Sequence, residues 1–316
     1  MPDPIAFSIG PLTIFWYGVC YALGLVAVWL VLSSEARRNG LDLGILANGM
    51  IIVAIAALIG GRLYHVIDQW QLYAPNPINI VLPPYSGLGA PGGLLLGTLA
   101  GVLYARYKRQ SVAVWADVGT LGILAMQAVA RWGNFFNQEL YGPPTNLPWG
   151  IAIDCARRIP EYPCSLYPVA TTHFHPLFLY ESVSGIIGLI VLIFIARRFP
   201  TKLIPGDVAL LVLTWYAATR FLLEPFRSDN WTFFGVPTAS IVMATIIVAC
   251  VGLIVVRHAR RRGAGEGGPE PGETGGDAEA AEAGAVDETD SAVDETVDAA
   301  DGGLPVADET DRAVEL

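Results

Sequence analysis

Seven stretches of the chain are almost wholly apolar, at about 12–32, 45–64, 88–105, 112–132, 177–196, 206–223 and 238–256. Each holds about 18–21 residues, enough for a helix to cross a hydrocarbon core of roughly 30 Å. The third is interrupted by Gly89, Gly92, Gly93, Gly97 and Gly101. Glycine lets helices or lipid head groups approach closely, so this run is still expected to span. The pattern predicts an all-α, polytopic membrane protein with seven transmembrane helices. No basic residue precedes Arg37, so the first run lacks the positive flank of a cleavable signal peptide and is expected to be a retained helix.

Charge then gives the spans a direction. Arg37 and Arg38 follow the first run. Arg106, Lys108 and Arg109 follow the third, and Arg197, Arg198 and Lys202 the fifth. Arg257, Arg260, Arg261 and Arg262 follow the seventh. These share one side of a seven-span arrangement; only Arg157, Arg158 and Arg227 are loop bases on the other. The positive-inside rule puts the N-terminus outside and the C-terminus in the cytoplasm. Six spans would break this sorting. The longest outer connection, 133–176, is rich in proline and aromatic residues and is expected to form a small extracytoplasmic head region.

Composition adds a boundary. The 316 residues are 53% hydrophobic with a mean hydropathy of +0.48, yet the formal net charge is −10. The negative charge is concentrated in residues 263–316, which carry seventeen Asp and Glu against Arg312 alone and repeat Val-Asp-Glu-Thr at 286–289 and 293–296. Such a segment cannot bury enough apolar surface to order itself. The chain therefore reads as a membrane domain, 1–262, followed by a disordered acidic cytoplasmic tail, 263–316. Cys20 and Cys250 lie in apolar runs and read as packing residues. Cys155 and Cys164 flank a short polar loop of the head, where an extracytoplasmic setting favours a disulfide.

Three arginines remain, and each lies inside a span: Arg62, Arg131 and Arg220. All three sit near the outer ends of spans two, four and six. Tyr17, the glycines opening span three, and His175, Tyr180 and Glu181 opening span five reach the same level. So do Tyr216 and Glu224, four residues to either side of Arg220, and Asn134, Asn137 and Glu139. A single arginine near a helix end can snorkel to the interface. Three at one level, with carboxylates and amides among them, point to a cationic pocket, and arginine suits phosphate because its planar fork stays charged when desolvated. Trp132, Trp149, Trp215 and Trp231 are expected in the interfacial belt. These residues predict a protein that binds, and transforms, an anionic phospholipid at the outer leaflet.

The motifs resemble one family. Trp16-Tyr17-Gly18, Gly60-Gly61-Arg62, Gly92-Gly93-Leu94-Leu95-Leu96-Gly97, Arg131-x-Gly-Asn-Phe-x-Asn-x-Glu139, His175-Pro176 with Leu179-Tyr180-Glu181, and Tyr216…Arg220…Glu224…Arg227 are similar to prolipoprotein diacylglyceryl transferase. The resemblance covers about residues 5–258. It implies a bacterial inner-membrane enzyme with its active site near the outer leaflet. It implies transfer of the diacylglyceryl group of phosphatidylglycerol to the lipobox cysteine of a prolipoprotein signal peptide, with formation of a thioether and release of glycerol 1-phosphate. Its partners would be phosphatidylglycerol, such signal peptides and the membrane. No nucleic acid, metal or organic cofactor is implied.

Carried onto this chain, the resemblance makes Arg131, Arg220, Glu181 and Glu224 the catalytic candidates. Arg131 and Arg220 would hold the lipid phosphate. Tyr17, Arg62, Asn134, Asn137, Glu139, His175, Tyr216 and Arg227 would contact or position the substrate, with Glu139 and Glu224 orienting arginines and Asn134 and Asn137 capping a broken helix end. Gly92, Gly93 and Gly97 would leave room for lipid or signal helix. One position departs from the family: Pro91 stands where a histidine usually precedes the Gly-Gly. Glu181, Glu224, His175 or the arginine field are then the candidates for activating the thiol. Two rival readings are a transporter for an anionic lipid or solute, which needs polar groups at both faces, and an intramembrane serine protease using Ser184 and His175.

Overall fold

The computed structural model describes residues 2–10, 12–80, 87–227 and 232–266. Trp231, the Val-Asp-Glu-Thr repeats and all of the expected acidic tail beyond residue 266 lie outside the described residues. The chain opens with an antiparallel hairpin, β1 (Ile5–Ile9) and β2 (Leu12–Phe15). Gly10 turns it at a φ of +56°, a value glycine adopts without steric cost. Helix begins only at Trp16, so residues 12–15 of the first apolar run are strand; their β-branched Thr13 and Ile14 suit that geometry.

Among the described residues eight α-helices follow: α1 (Trp16–Arg38), α2 (Leu43–Asp68), a single turn α3 (Trp70–Tyr73), α4 (Ala90–Tyr107), α5 (Val112–Asn137), α6 (Leu177–Arg198), α7 (Asp207–Leu223) and α8 (Thr238–Glu266). Asp42 caps α2 by accepting from the Ile45 N–H at 2.8 Å, and Ser111 caps α5 through the Val114 N–H. Among the described residues six helices, α1, α2, α5, α6, α7 and α8, are long and apolar enough to cross a membrane. The third apolar run forms α4, eighteen residues long, but its glycines, Pro91 and Arg106 dilute its apolar character and it falls outside that group.

Helix α5 is central and packs on α1, α6 and α7, while α2 pairs with α4 and α7 with α8. Leu121 and Leu124 of α5 meet Leu192, Val208 and Val212, and Val118 meets Leu32, Ala36 and Leu46. The α2–α4 seam is closer still. A Cβ on Gly60 would lie 2.3 Å from the Gly92 carbonyl oxygen, one on Gly92 2.2 Å from that of Gly60, and one on Gly93 3.0 Å from that of Ala57. This corrects the expectation for Gly92, Gly93 and Gly97: α2 fills the space beside them, and their lack of side chains lets two backbones touch.

Ion pairs tie one end of the bundle. Arg197 at the end of α6 pairs with the buried Glu35 of α1, and Arg38 binds the Ala196 carbonyl. Asp117 of α5 accepts from the Gly206 and Ala209 N–H groups at the start of α7. Asp207, 1% exposed, pairs with Arg257 at 3.1 Å and His258 at 2.6 Å on α8.

At the other end, β3 (Pro144–Thr145) and β4 (His173–Phe174) frame the head, and a short hairpin, β5 (Thr232–Phe233) with β6 (Val236–Pro237), precedes α8. The head has its own core of Tyr141, Ile153 and Phe174, and a disulfide joins Cys155 to Cys164. Burial pushes the Tyr141 phenol above its ordinary pKa, while its oxygen accepts from the Ile159 N–H at 2.7 Å and donates to the Arg157 carbonyl. The indole N–H of Trp215 donates to the Ser184 carbonyl at 3.0 Å, locking α7 to α6 beside Gly188.

Candidate functional site

Helix α5 does not break at Asn134. It continues to Asn137 and ends when Gln138 turns left-handed at φ +57°, with the Gln138 and Glu139 N–H groups closing back on Phe135 and Asn134. Gln138 is buried, and its amide joins the N-terminal segment to the head. Nε2 donates to the Pro2 carbonyl at 3.2 Å, and Oε1 accepts the Asp154 N–H at 2.7 Å. Sequence reasoning passed over this residue. Its only signal was a long polar side chain directly after a helix. Asn134 and Asn137 therefore lie on the last turn of an intact helix, and both side-chain amides donate to Glu139, each at 3.4 Å. Glu139, expected to orient an arginine, thus orients these two amides.

Further down α5, Arg131 meets α6. Its Nε lies 2.6 Å from Oε2 of Glu181, and the other oxygen of that carboxylate is 3.5 Å from Nη1 of Arg227. Glu181 is 3% exposed. The backbone around it is clamped, because Gln127 donates to the Glu181 carbonyl at 3.1 Å and Ser182 to that of Ala128 at 2.6 Å. Gly185 permits this closeness, since a Cβ there would stand 3.0 Å from both the Leu124 oxygen and the Ala128 nitrogen. Arg220 of α7 pairs with Glu224, itself 1% exposed. Arg220 also lies in the electrostatic field of Arg227, Glu181 and Tyr216.

Three arginines and two buried carboxylates thus form one charged group, with one positive charge in excess. The carboxylates are fully covered, whereas the side chains of Arg131, Arg220 and Arg227 keep 31%, 20% and 21% of their exposure. Burying two carboxylates is tolerable only because arginines satisfy them. The result is a set of partly exposed guanidinium groups paired with buried glutamates. Such an arrangement has the chemistry to take an oxyanion, and a phosphate monoester or diester suits its planar forks.

Beside this group, Gly133 lets α1 approach α5, for a Cβ there would meet Tyr17 Cδ2 at 3.1 Å. Trp16 stacks on Phe136, and the Tyr17 hydroxyl lies 3.1 Å from that of Tyr21. Tyr17 and Asn137 line a cleft of about 730 Å³ whose walls include Thr13, Phe15, Gly18, Val19 and Arg157. Arg157 is a cation that the chain order alone does not put near Tyr17. The head does so, through the bonds that fix residues 154–159 on Gln138 and Tyr141.

His175 lies just before α6. Its Nδ1 is 3.0 Å from the Tyr180 hydroxyl, which also accepts from the Trp149 indole N–H at 2.9 Å. Arg62 is engaged elsewhere: it donates to the carbonyls of Ile80, Gly87 and Asn79 and lies over the Tyr73 ring, so it fastens the connection between α3 and α4. Pro91 occupies the exposed first turn of α4, on the α2–α4 pair. Ser184 bonds to Thr219 at 2.6 Å and to Trp215, while His175 is bonded to Tyr180, so the two do not form a serine–histidine pair. Among the described residues no three His, Cys, Asp or Glu side chains gather as metal ligands would.

A profile of the prolipoprotein diacylglyceryl transferase family matches residues 4–256. A phosphatidylglycerol–prolipoprotein diacylglyceryl transferase of Chloroflexus aggregans is 35% identical over 277 residues, covering 82% of this chain and 90% of that one. Proteins of the same name from Streptococcus mutans and Halalkalibacterium halodurans are 33% and 34% identical. Each alignment covers 82% of this chain, and 96% and 87% of the respective relative.

Proposed function

Because the chain belongs to the prolipoprotein diacylglyceryl transferase family, we infer that it transfers the diacylglyceryl group of phosphatidylglycerol to a cysteine thiol of a prolipoprotein. The thiolate sulfur attacks the glyceryl carbon, a C–S bond forms, and the C–O bond to phosphate breaks. Glycerol 1-phosphate leaves with that electron pair, and the thiol proton passes to a base.

The observation that carries this reading is the arginine group on Glu181 and Glu224. An excess of one positive charge matches the single charge of a phosphodiester head group. At C–O cleavage the phosphate gains charge, and arginines already fixed by buried carboxylates need little reorganisation to stabilise it. Arg131 and Arg220 hold the phosphate in this account, and Arg227 joins them. Tyr17, Asn134, Asn137 and Tyr216 position the head group. Both glutamates are engaged by arginines, which favours His175 as the group that takes the thiol proton; the Tyr180–Trp149 chain fixes its ring. His175 then serves where the family's usual histidine is replaced by Pro91.

The finer topology belongs to the same proposal. Helix α4 completes seven spans, with the site at the outer leaflet of the bacterial cytoplasmic membrane and the twelve flanking bases inside. The membrane domain ends near residue 262, where the acidic part of the sequence begins. The thiol substrate is the lipobox cysteine.

The test is incubation of the full chain with phosphatidylglycerol and a lipobox peptide, followed by mass analysis. A diacylglyceryl adduct on the cysteine is expected. It is expected to vanish in Arg131→Ala and Arg220→Ala variants that still fold, and activity persisting in both would overturn the assignment.

A further inference from the structure

The opposite end of the bundle holds a second basic cleft, of about 700 Å³, which the transfer reaction does not use. Asp207 and Arg220 stand near the two ends of α7, about 20 Å apart at the helical rise. The cleft lies between the α6–α7 connection, the first turns of α7 and the last turns of α8. Its rim carries Lys202, Arg261 and Arg262, and its wall is Leu203, Leu211 and Ile254.

Its charge is not neutralised from within. The carboxylate in the cleft is Asp207, which is buried and already committed to Arg257, His258 and the Ile204 N–H. Among the described residues, Arg261 and Arg262 are exposed and make no ion pair, and Lys202 is placed over the Phe199 ring at 5.3 Å. The His258 ring is held by Asp207 as part of the wall. Three cations therefore surround an opening whose wall is aliphatic at Leu203, Leu211 and Ile254, with Thr201 and the mutually bonded Asp207 and His258 as its other polar residues.

We propose that this cleft is a binding site for an anionic phospholipid, distinct from the reactive centre. The phosphate sits among Lys202, Arg261 and Arg262, and an acyl chain follows the groove between Leu211 of α7 and Ile254 of α8. A basic rim alone would suit any soluble phosphate. The aliphatic wall on two helices long and apolar enough to span a membrane selects the lipid. A lipid held there bridges α7 and α8 at the end where Asp207 already joins them.

Native mass spectrometry of the full chain in a neutral detergent, titrated with dioleoyl phosphatidic acid, tests this. The Lys202→Gln/Arg261→Gln/Arg262→Gln variant is expected to bind one lipid fewer than the wild type, or that lipid at least tenfold more weakly. Its transfer rate at saturating phosphatidylglycerol should be unchanged. The charge-conserving Lys202→Arg/Arg261→Lys/Arg262→Lys variant should keep the lipid, which separates loss of charge from loss of fold. Dioleoylglycerol, which has the chains without the phosphate, should not occupy the site. Equal lipid binding by the glutamine variant, full occupancy by dioleoylglycerol, or displacement by millimolar inorganic phosphate would each overturn the proposal.

Discussion

Replacing Glu181 with glutamine keeps the shape of the side chain and removes the charge that holds two arginines. Arg131 lies at 2.6 Å and Arg227 at 3.5 Å from the carboxylate. Unit charges about 4 Å apart interact by roughly 4 kcal/mol at an effective dielectric of about 20. Removing one partner of a buried pair costs about 3–5 kcal/mol. Arg131 keeps 31% of its side-chain exposure, so water recovers part of this, and a loss of about 3 kcal/mol is expected. That corresponds to an apparent Tm lower by roughly 6–12 °C.

The effect on catalysis differs from that on binding. Net charge at the site rises by one, so the KM for phosphatidylglycerol should not increase. The arginines lose their fixed orientation, so kcat should fall by about 100-fold, the usual cost of removing a preorganised donor. Initial rates of adduct formation on a lipobox peptide, across lipid concentration and pH in mixed micelles, read both parameters. If Glu181 positions arginines, the dependence of rate on pH keeps its shape at lower amplitude. A rate within threefold of wild type, a loss confined to KM, or a flattened pH profile in Glu181→Gln would refute the reasoning.

Other outcomes follow from the same structure. His175→Gln should cost about 100-fold or more at neutral pH and less at high pH, where a free thiol with a pKa of about 8.5 ionises unaided; a loss independent of pH would remove His175 as the base. Pro91→His should change the rate by less than about threefold, because the general-base role, worth about 10²-fold or more, lies elsewhere; a large gain would show that this position still shapes the chemistry. Gly92→Ala should destabilise by about 1–3 kcal/mol or more, since its Cβ meets the Gly60 backbone, whereas Gly119→Ala, with nothing within 4 Å, should leave thermal unfolding unchanged. Cys155 and Cys164 should resist alkylation in native membranes until reduced, and Cys155→Ser with Cys164→Ser should lower stability by roughly 2–3 kcal/mol for so short a loop.

Much of this was legible in the chain. Hydrophobic run length marked every long helix, because a backbone crossing hydrocarbon must satisfy its own hydrogen bonds and so shows as an uninterrupted apolar stretch. Residues 12–15 misled for the same reason: a short exposed hairpin and a helix start are both apolar, and only strand pairing separates them. Arg131, Arg220, Glu181 and Glu224 stood out because ionisable groups in such stretches are costly.

The sequence by itself determined which long helices exist, which polar residues they carry, and the family. Only the tertiary structure decided the partners. Arg131 and Glu181 are fifty residues apart along the chain and meet because α5 and α6 pack through Gly185. Arg62, alike in sequence, is drawn instead to three loop carbonyls. Gly92 is closed by Gly60, and Arg157 is brought beside Tyr17 by a head fixed on Gln138. Periodicity and composition report how each segment meets lipid or water. Which side chains neutralise one another depends on helix contacts that no single segment encodes.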